Sequence, residues 1–444
     1  MAATLPAPAA IEQVIAGFDV GINYSDRTKT KRQPSGQLFA TGTPTISSDL
    51  LYAPVDLGFA GAGVVPSWNV PAVIAKYFAP IDYSLENNAG TISRAWDVTE
   101  KITTAFARAN IDSDIGGYSL RGNIGAQIIR TDQSSASLYA DAAGVAHPIE
   151  SGKTYTDVLP SMNLAIGLAD GQTLRISLAK QIARPRVDQL NAGFNFTVAS
   201  GTRLPGGSGG NSKLDPWRAK AFDVSYEKYF DKKGYIALAG FYKKLDTYIY
   251  TFSETRDFSQ YTAGTNAISN FGQYTTSYNG DGGMLKGAEL TVSVPLDLLA
   301  PALDGFGVLA STSYTESGID IKEVNATIGK IQLPGLSRNV SNLTLYYEKA
   351  GFSTRVSGRR RSDYVGEIGN FAGDRQLRFV HDAPTVDAQV GYTFNEGRYK
   401  GLGVLLQVNN LNNAAYETYA NRKDRQLEYA KYGRTVLLGV NYKF

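Results

Sequence analysis

Apolar and polar residues alternate along many stretches of this chain. Near the C-terminus, Val436, Leu438, Val440 and Tyr442 fall at every second position. The positions between them hold Gly439 and Asn441, with Leu437 as the one apolar exception. Because successive side chains of a β-strand point to opposite faces, such a segment has one apolar and one polar face. The same alternation recurs upstream at positions 18–25, 120–128, 287–294, 386–394 and 402–409. The pattern therefore predicts a chain built from β-strands.

The length of these segments separates two kinds of β-protein. Strands of a soluble β-sandwich average about five or six residues, whereas a tilted strand needs about ten residues to cross a bilayer. The alternating segments here are of the longer kind. The chain also has no apolar run of about 18 residues or more, which excludes a helical membrane protein. The segments therefore favour membrane-spanning strands over a sandwich.

The connections between the predicted strands alternate between short and long. Short connections are expected at 169–171, 231–234, 350–351 and 395–400, and long ones at 27–97, 131–151, 183–216, 248–283, 318–335, 362–378 and 412–428. Outer-membrane barrels combine short periplasmic turns with long extracellular loops. We predict an all-β fold, an antiparallel transmembrane β-barrel of the bacterial outer membrane, with about fourteen strands. It occupies residues 13–444, after an unstructured or residual N-terminus at residues 1–12.

Composition adds three constraints. The 27 Tyr and 19 Phe residues suit a membrane protein, because aromatic rings collect at the bilayer interfaces. Cysteine is absent, which excludes disulfides, thiolate metal sites and a cysteine nucleophile. The 44 basic and 41 acidic residues nearly cancel, so no nucleic-acid partner is expected. The expected partners are outer-membrane lipid, lipopolysaccharide and a small-molecule nutrient.

The last residues form a candidate assembly signal. Val440, Tyr442 and Phe444 place apolar side chains at every second position up to the aromatic C-terminus. Such an ending resembles the signal that the barrel assembly machinery of the outer membrane reads. We expect the final strand to close the barrel, because an open strand edge cannot lie in lipid.

Several motifs occur in an order that resembles one family. The chain contains LPSMNL at 159–164 and LRISLAKQIARP at 174–185, followed by related segments at 214–230, 234–245, 408–413 and 432–434. Together they resemble the barrel of TonB-dependent receptors over residues 18–444, and most resemble the proteobacterial subgroup linked to carbohydrates. The resemblance implies TonB-dependent uptake of a nutrient, here an oligosaccharide. Alternatives are a siderophore receptor of the same family or a passive porin of about fourteen strands.

The family pattern includes parts that this sequence does not show. Family members carry a globular plug that contacts the TonB energy complex, followed by a barrel of about 22 strands, of which about fourteen are recognised here. No signal peptide is visible at the N-terminus. We therefore expect a C-terminal barrel portion that lacks the plug and the first strands, with the TonB energy complex acting only through that missing plug.

Two sets of residues are candidate functional positions. Polar residues between apolar strand positions are expected to face the aqueous lumen: Arg121, Asn123, Gln127, Arg175, Glu289, Asp387, Gln389, Gln407 and Asn409. Aromatic and basic residues of the outer loops are candidate ligand contacts, because pockets combine an apolar floor with a few polar groups. These are Trp68, Phe194, Phe196, Phe252, Tyr261, Phe271, Tyr274, Tyr278, Arg359 and Arg361.

Alternative interpretations remain for each set. The loop aromatics also suit packing among themselves, and the basic residues near 359–361 also suit contact with lipopolysaccharide. The only histidines, His147 and His381, fall in or beside predicted outer loops. No catalytic constellation or metal site is recognisable around them, so we predict no enzyme activity, no metal and no cofactor.

Overall fold

The computed structural model describes residues 1–32, 38–42, 45–80, 93–141, 145–169, 171–230, 234–322, 327–371 and 374–443. Phe444, the last residue of the predicted assembly signal, lies outside them. In chain order the strands are β1 (Ala2–Pro6), β2 (Ile15–Lys31), β3 (Leu51–Asp56), β4 (Val64–Trp68), β5 (Trp96–Ile115), β6 (Tyr118–Ala140), β7 (Ala146–Leu168), β8 (Gln172–Ala183), β9 (Phe194–Val198), β10 (Pro205–Gly209), β11 (Trp217–Phe230), β12 (Gly234–Asp257), β13 (Phe271–Pro295), β14 (Phe306–Lys322), β15 (Thr327–Ile331), β16 (Asn339–Lys349), β17 (Phe352–Arg361), β18 (Tyr364–Phe371), β19 (Asp374–Asp382), β20 (Thr385–Thr393), β21 (Leu402–Asn409), β22 (Tyr416–Ala420), β23 (Gln426–Ala430) and β24 (Thr435–Tyr442). The helices are α1 (Val70–Tyr77) and α2 (Ser259–Thr262).

One large antiparallel meander dominates the fold. Its strands follow the order β1, β2, β5, β6, β7, β8, β11, β12, β13, β14, β16, β17, β20, β21 and β24, each paired with the next. The prediction of an all-β antiparallel architecture is confirmed. Short strands, among them the hairpins β3–β4 and β18–β19, occupy the long connections at one end, called the loop end. The opposite end, with its short connections, is called the turn end.

The two borders of the meander are unpaired within the described residues. Among the described residues, the border strand β24 pairs only with β21, and the border strand β1 pairs only with β2. In the part of the chain that the structure describes, no strand joins β24 to β1 or β2, so the expected closure by the last strand is not seen there. The structure also corrects the expectation for residues 1–12, because β1 pairs in register with β2 where an unstructured or residual segment was predicted.

Register places an apolar row across the sheet. Ile124 lies opposite Met162, which continues the row through Leu178, Phe222 and Tyr242 on successive strands. Most of these side chains are exposed. A continuous exposed apolar surface is unfavourable in water and is typical of a surface that contacts lipid or a partner. We call the side of the sheet that bears this row the apolar face, and the opposite side the polar face.

Two predicted loops are mostly strand. β6 and β7 extend through much of 131–151, and β12 and β13 reach 24 and 25 residues by extending into 248–283. The hairpins β6–β7 and β12–β13 keep their antiparallel register up to the tip. Hydrogen bonding between their strands therefore continues past the length that a membrane crossing requires. Segment 99–110 is part of β5. None of the described helices has the length and apolarity to span a membrane.

Buried apolar residues concentrate at the loop end. One cluster joins Trp96 and Val98 of β5 to Leu190 and Leu214 of the 184–216 connection. Two further clusters involve the extensions of β12 and β13. The loops therefore fold onto the strand extensions and form the main hydrophobic core of the molecule.

Candidate functional site

An aromatic cluster at the loop end gathers residues from four parts of the chain. Phe194 and Tyr261 lie with ring centroids 4.9 Å apart, and Phe196 lies 5.7 Å from Tyr261. The ring of Tyr274 is 5.8 Å from that of Phe194. The structure therefore brings together four of the predicted ligand residues. The complete cluster consists of Tyr139, Phe194, Phe196, Phe258, Tyr261 and Tyr274.

A short glycine-rich strand allows these rings to approach the backbone. β10 pairs antiparallel with β9, which carries Phe194, and parallel with β13, which carries Tyr274. A Cβ atom at Gly207 would lie 2.8 Å from the Phe194 ring and 3.1 Å from the Phe258 ring. Any larger residue at this position would displace one of the rings. β10 therefore fixes the cluster between two strands.

A cavity of about 350 Å³ adjoins the cluster. Phe194, Tyr261 and Tyr274 line it on one side. Lys213 and Arg256 add positive charge, and the Arg256 guanidinium lies 4.6 Å from the Tyr274 ring centroid, in cation–π contact. Ligand pockets commonly join aromatic walls to a few polar groups in this way. Further lining residues include Glu254, Thr276 and Tyr278.

Burial distinguishes the floor of the cavity from its rim. Phe194 and Tyr274, which line the cavity, are nearly fully buried, and the fully buried Phe258 supports them from within the cluster. Tyr261 and Tyr278 remain partly accessible. Burial raises the pKa of Tyr261, so its hydroxyl stays protonated near neutral pH. The cavity thus offers an aromatic floor, a neutral hydroxyl, two cations and one carboxylate, Glu254, to a ligand.

Other predicted aromatic residues lie apart from this cluster. Trp68 is the last residue of β4, whose described pairing is with β3. Phe271 is exposed at the start of β13. Phe252 packs instead against Tyr250 and Tyr278. The structure gives these three residues no contact with the aromatic cluster.

The two predicted basic ligand residues have partners within the protein. Arg359 is paired with Asp382 at 3.2 Å. Arg361 donates a 2.6 Å hydrogen bond to the Ser337 hydroxyl and lies 3.7 Å from the ring centroid of Tyr364. Both guanidinium groups therefore hold loop segments against β17, which accounts for them without a ligand.

The two histidines take part in separate side-chain networks. His147 stacks on Tyr139 at 5.2 Å and hydrogen-bonds Asp141. His381 hydrogen-bonds Asp363 at 2.6 Å. Asp363 is the centre of a loop network, because Tyr419 and Lys423 also donate to it, each at 2.9 Å.

Electrostatics stabilise the charged form of Asp363. Burial by itself raises the pKa of this carboxyl, but the hydrogen bonds from His381, Lys423 and Tyr419 outweigh burial and lower the pKa to about 2. Burial and the hydrogen bond to Asp363 raise the pKa of Tyr419 to about 12. The network therefore keeps a charged acceptor and a neutral phenol over a wide pH range.

Several predicted lumen residues share the polar face. Arg121, Arg175 and Glu289 line a concavity of about 570 Å³. Arg121 pairs with Asp112 at 3.2 Å, and Arg175 pairs with Glu227 at 2.9 Å. Asn123 lies opposite Asn163 and Gln389 lies opposite Gln407, whereas Gln127 lies between Phe106 and Leu159 in register. The remaining members of the predicted set are Gln127, Asp387 and Asn409.

Sequence reasoning missed several residues of the cavity and cluster, namely Tyr139, Phe258, Lys213 and Arg256. A signal was present at Tyr248, Tyr250 and Phe252, whose spacing of two indicates that β12 continues beyond the predicted strand end. A β12 strand extended in this way carries Arg256 and ends beside Phe258, at the tip of the β12–β13 hairpin. Lys213 has no comparable signal.

Comparison with known proteins supports the architecture. The family model described as "TonB dependent receptor-like, beta-barrel" matches residues 13–411. The ferric-catecholate import receptor Fiu of Escherichia coli K12 aligns over 100% of this chain and 53% of its own, at 15% identity and a TM-score of 0.58. The siderophore receptor PiuA of Acinetobacter baumannii aligns over 96% of this chain and 53% of its own, at 15% identity and a TM-score of 0.55.

A third solved structure gives the same result. The ferric citrate transporter FecA aligns over 100% of this chain and 53% of its own, at 13% identity and a TM-score of 0.55. A comparison with curated proteins finds no match. At these identities the solved structures establish the fold, and the chain spans about half of their length. This is an outer-membrane protein, and it belongs to the family of TonB-dependent receptor-like β-barrels.

Proposed function

We propose that the protein takes part in TonB-dependent uptake of a ferric siderophore, and that the ligand first binds the cavity beside the aromatic cluster. The observation that carries the proposal is the joining of aromatic walls to Lys213 and Arg256 at the loop end of a barrel of this family. Iron chelates built from catecholate or carboxylate groups are anionic. Aromatic floors and guanidinium groups are suited to bind such ligands.

The solved relatives support this ligand class over an oligosaccharide. Their descriptions name a siderophore receptor, a ferric-catecholate receptor and a ferric citrate transporter. The cavity adds a reason from chemistry. Lys213 and Arg256 outnumber the single carboxylate, Glu254, so the lining has a net positive charge from which an uncharged sugar gains little.

The remaining expectations about the chain follow from this proposal. The loop end faces the cell exterior, and the polar face with Arg121 and Glu289 lines the lumen. Energy coupling runs through a plug, so this chain supplies barrel wall, loops and ligand cavity over residues 13–444. Val440 and Tyr442, both exposed on β24, are proposed to guide assembly together with Phe444.

An oligosaccharide remains the second candidate ligand because of a separate polar concavity. It has a volume of about 590 Å³ and is lined by hydrogen-bonding side chains, among them Arg94, Asp188, Asn191 and Asn195. Such a lining suits a polyhydroxylated ligand. Among the described residues that line it, none has an aromatic ring on which a sugar could stack.

Ligand titration of the purified chain in detergent distinguishes these possibilities. Tryptophan fluorescence is followed on addition of ferric catecholate, ferric citrate, iron-free catecholate or maltooligosaccharides. We expect saturable binding of a ferric chelate. The double variant Lys213→Gln/Arg256→Gln should weaken it at least tenfold, about 1.4 kcal/mol. The matched control Arg398→Gln/Lys400→Gln, which removes two exposed charges at the turn end, should bind as the original chain does.

The opposite results would contradict the proposal. Binding of maltooligosaccharide without binding of any ferric chelate assigns the protein to sugar uptake. Binding of ferric chelate that is equal in the original chain and in the Lys213/Arg256 double variant places the ligand elsewhere. Size-limited leakage of small sugars from liposomes that hold the chain, without saturable binding, indicates a passive porin.

A further inference from the structure

The cavity beside the aromatic cluster has opposite charges in its lining. Among the described residues that line it, Glu254 is the only acidic one, and Lys213 and Arg256 are the basic ones. Glu254 lies on β12 two residues before Arg256, so both side chains point to the same side of that strand. Their backbone positions are about 7 Å apart along the strand. The cavity therefore presents a carboxylate and a guanidinium side by side.

These two groups do not neutralise each other by direct contact. The Arg256 guanidinium lies over the ring of Tyr274, 4.6 Å from its centroid, and that ring is nearly fully buried. Tyr274 is also the register partner of Glu254 on β13. Among the described side chains, the exposed carboxylate of Glu254 has no hydrogen bond or ion pair, either with Arg256 or with Lys213. The cation–π contact therefore holds the guanidinium in place and leaves the carboxylate available to a ligand.

The phenol of Tyr274 is influenced by both charges. Burial raises the pKa of Tyr274, the positive charge of Arg256 opposes this increase, and the negative charge of Glu254 adds to it. One buried hydroxyl is thus within electrostatic reach of the carboxylate and of the guanidinium. Glu254 and Arg256 therefore act on the same part of the cavity, and a ligand that contacts the Tyr274 wall is close to both of them.

This arrangement of charges distinguishes two kinds of anionic ligand. A chelate with negative groups only is attracted by Lys213 and Arg256 but is repelled by Glu254. A chelate that also carries an ammonium group can place it against Glu254 in a charge-assisted hydrogen bond. The cavity volume of about 350 Å³ is near the lower end of the range for ligand pockets, so a bound group has little room to avoid the carboxylate. The lining therefore favours the ligand with both charges.

We propose that the ligand carries a primary amine close to its anionic iron-binding groups, and that Glu254 is the residue that selects for this amine. The inference rests on the proposed function and adds a charge requirement to it. Lys213 and Arg256 bind the anionic part of the chelate, and Glu254 binds its ammonium group. The spacing of alternate positions on β12 sets the distance between the two parts of the ligand at roughly 7 Å.

The test compares two ligands that differ in one charge. The probes are the ferric complexes of two synthetic tris-catecholates, identical except that one ends in a primary amine and the other in its N-acetyl derivative. Each is titrated into the purified full chain in detergent, and binding is followed by tryptophan fluorescence. We expect the original chain to bind the amine form at least fivefold more tightly than the acetylated form, because only the amine form offers an ammonium group to Glu254.

The variant Glu254→Gln should change the two affinities in opposite directions. It removes the partner of the ammonium group, so the amine form should bind more weakly, and it removes a repulsion, so the acetylated form should bind more tightly. The ratio of the two affinities should fall to about one. A general loss of folding weakens both ligands and does not produce opposite changes. The matched control Glu396→Gln, which removes an exposed carboxylate at the turn end, should keep the ratio of the original chain.

The possible failures are distinguishable. Equal and saturable binding of both ferric complexes by the original chain overturns the amine requirement and leaves the proposed function standing. A preference for the amine form that persists in Glu254→Gln overturns the role of this residue. Absence of binding of either complex, or of any other ferric chelate, overturns the proposed function and this inference with it. The comparison of the two ligands in the original chain needs no variant, so it is decisive even where Glu254→Gln fails to fold.

Discussion

The two halves of the sheet differ in what their strands support. β5, β6, β7, β12 and β13 contain 20 to 25 residues each, whereas β17, β20, β21 and β24 contain 8 to 10. A membrane crossing needs about 9–11 residues. The short strands are therefore just long enough to cross the membrane and contribute only to the wall of the barrel. The long strands continue beyond the membrane and form a platform on which the loops pack.

The long half also buries charges that the short half leaves exposed. Asp157 of β7 is 3% exposed and is paired with Arg218 of β11 at 2.6 Å. Glu100 of β5 is almost fully buried between Arg27 and Arg184. By contrast, every residue of β24 is exposed in the described sheet. Strand extension thus creates an interior in which polar residues must find partners.

The largest expected effect is in the buried ion pair of the long half. Asp157→Asn removes the nearly buried carboxylate partner of Arg218, which keeps only the longer 3.5 Å contact with Asp215, and should cost about 3 kcal/mol of unfolding free energy. Urea unfolding in lipid vesicles, followed by tryptophan fluorescence, measures the change. Asp112→Asn removes the exposed partner of Arg121 and should cost under about 1 kcal/mol. Equal losses for both variants would remove the distinction between the two environments.

A second effect tests the short half. Leu406 and Gln407 are neighbours on β21 and point to the apolar and polar faces, opposite Leu438 and Leu437 of β24. Leu406→Arg should cost about 2–4 kcal/mol near the middle of the membrane, and Gln407→Arg should be tolerated. Heat-modifiable gel mobility reports the folded fraction of each variant. Similar folded fractions for the two variants would contradict the assignment of the faces.

A third and smaller effect concerns the loop network at Asp363. Its pKa of about 2 lies below the ordinary value of 3.8, so its contribution is present above about pH 4 and is lost as the pH falls towards 2. The contribution is roughly 2 kcal/mol. Thermal unfolding of the original chain and of Asp363→Asn should differ at pH 7 and converge at pH 2. Asp424→Asn, in an exposed pair with Arg422, should differ little at either pH. A difference for Asp363→Asn that is as large at pH 2 as at pH 7 would refute the role of this carboxylate.

The alternation of side chains predicted the sheet well, because a strand exposed to lipid on one side must alternate. It predicted less about the loop end. Beyond the membrane the outer face of a strand no longer needs apolar residues, so the sequence of the β6 and β7 extensions predicts a loop. β1 was also missed, since residues 1–12 contain no alternating run long enough to span a membrane.

The candidate site was predictable in part. Phe194, Phe196, Tyr261 and Tyr274 were identified by residue type, but their convergence depends on β10, whose glycines suggested no strand. Residue type favours Arg359 and Arg361 as ligand contacts, whereas the structure pairs them with Asp382 and Ser337. Charge alone does not show which guanidinium has a partner; the register and the surrounding loops determine that.

Single-cysteine labelling tests the central claim most directly, since the chain has no cysteine of its own. Each position from 403 to 408 in β21 is replaced in turn by a cysteine that carries a fluorophore, in protein held in lipid vesicles. Quenchers are dissolved in the lipid or in the water. The account predicts that lipid-phase quenching peaks at 404, 406 and 408 and that aqueous quenching peaks at 403, 405 and 407. Equal quenching along the strand, or aqueous quenching at all six positions, would contradict it.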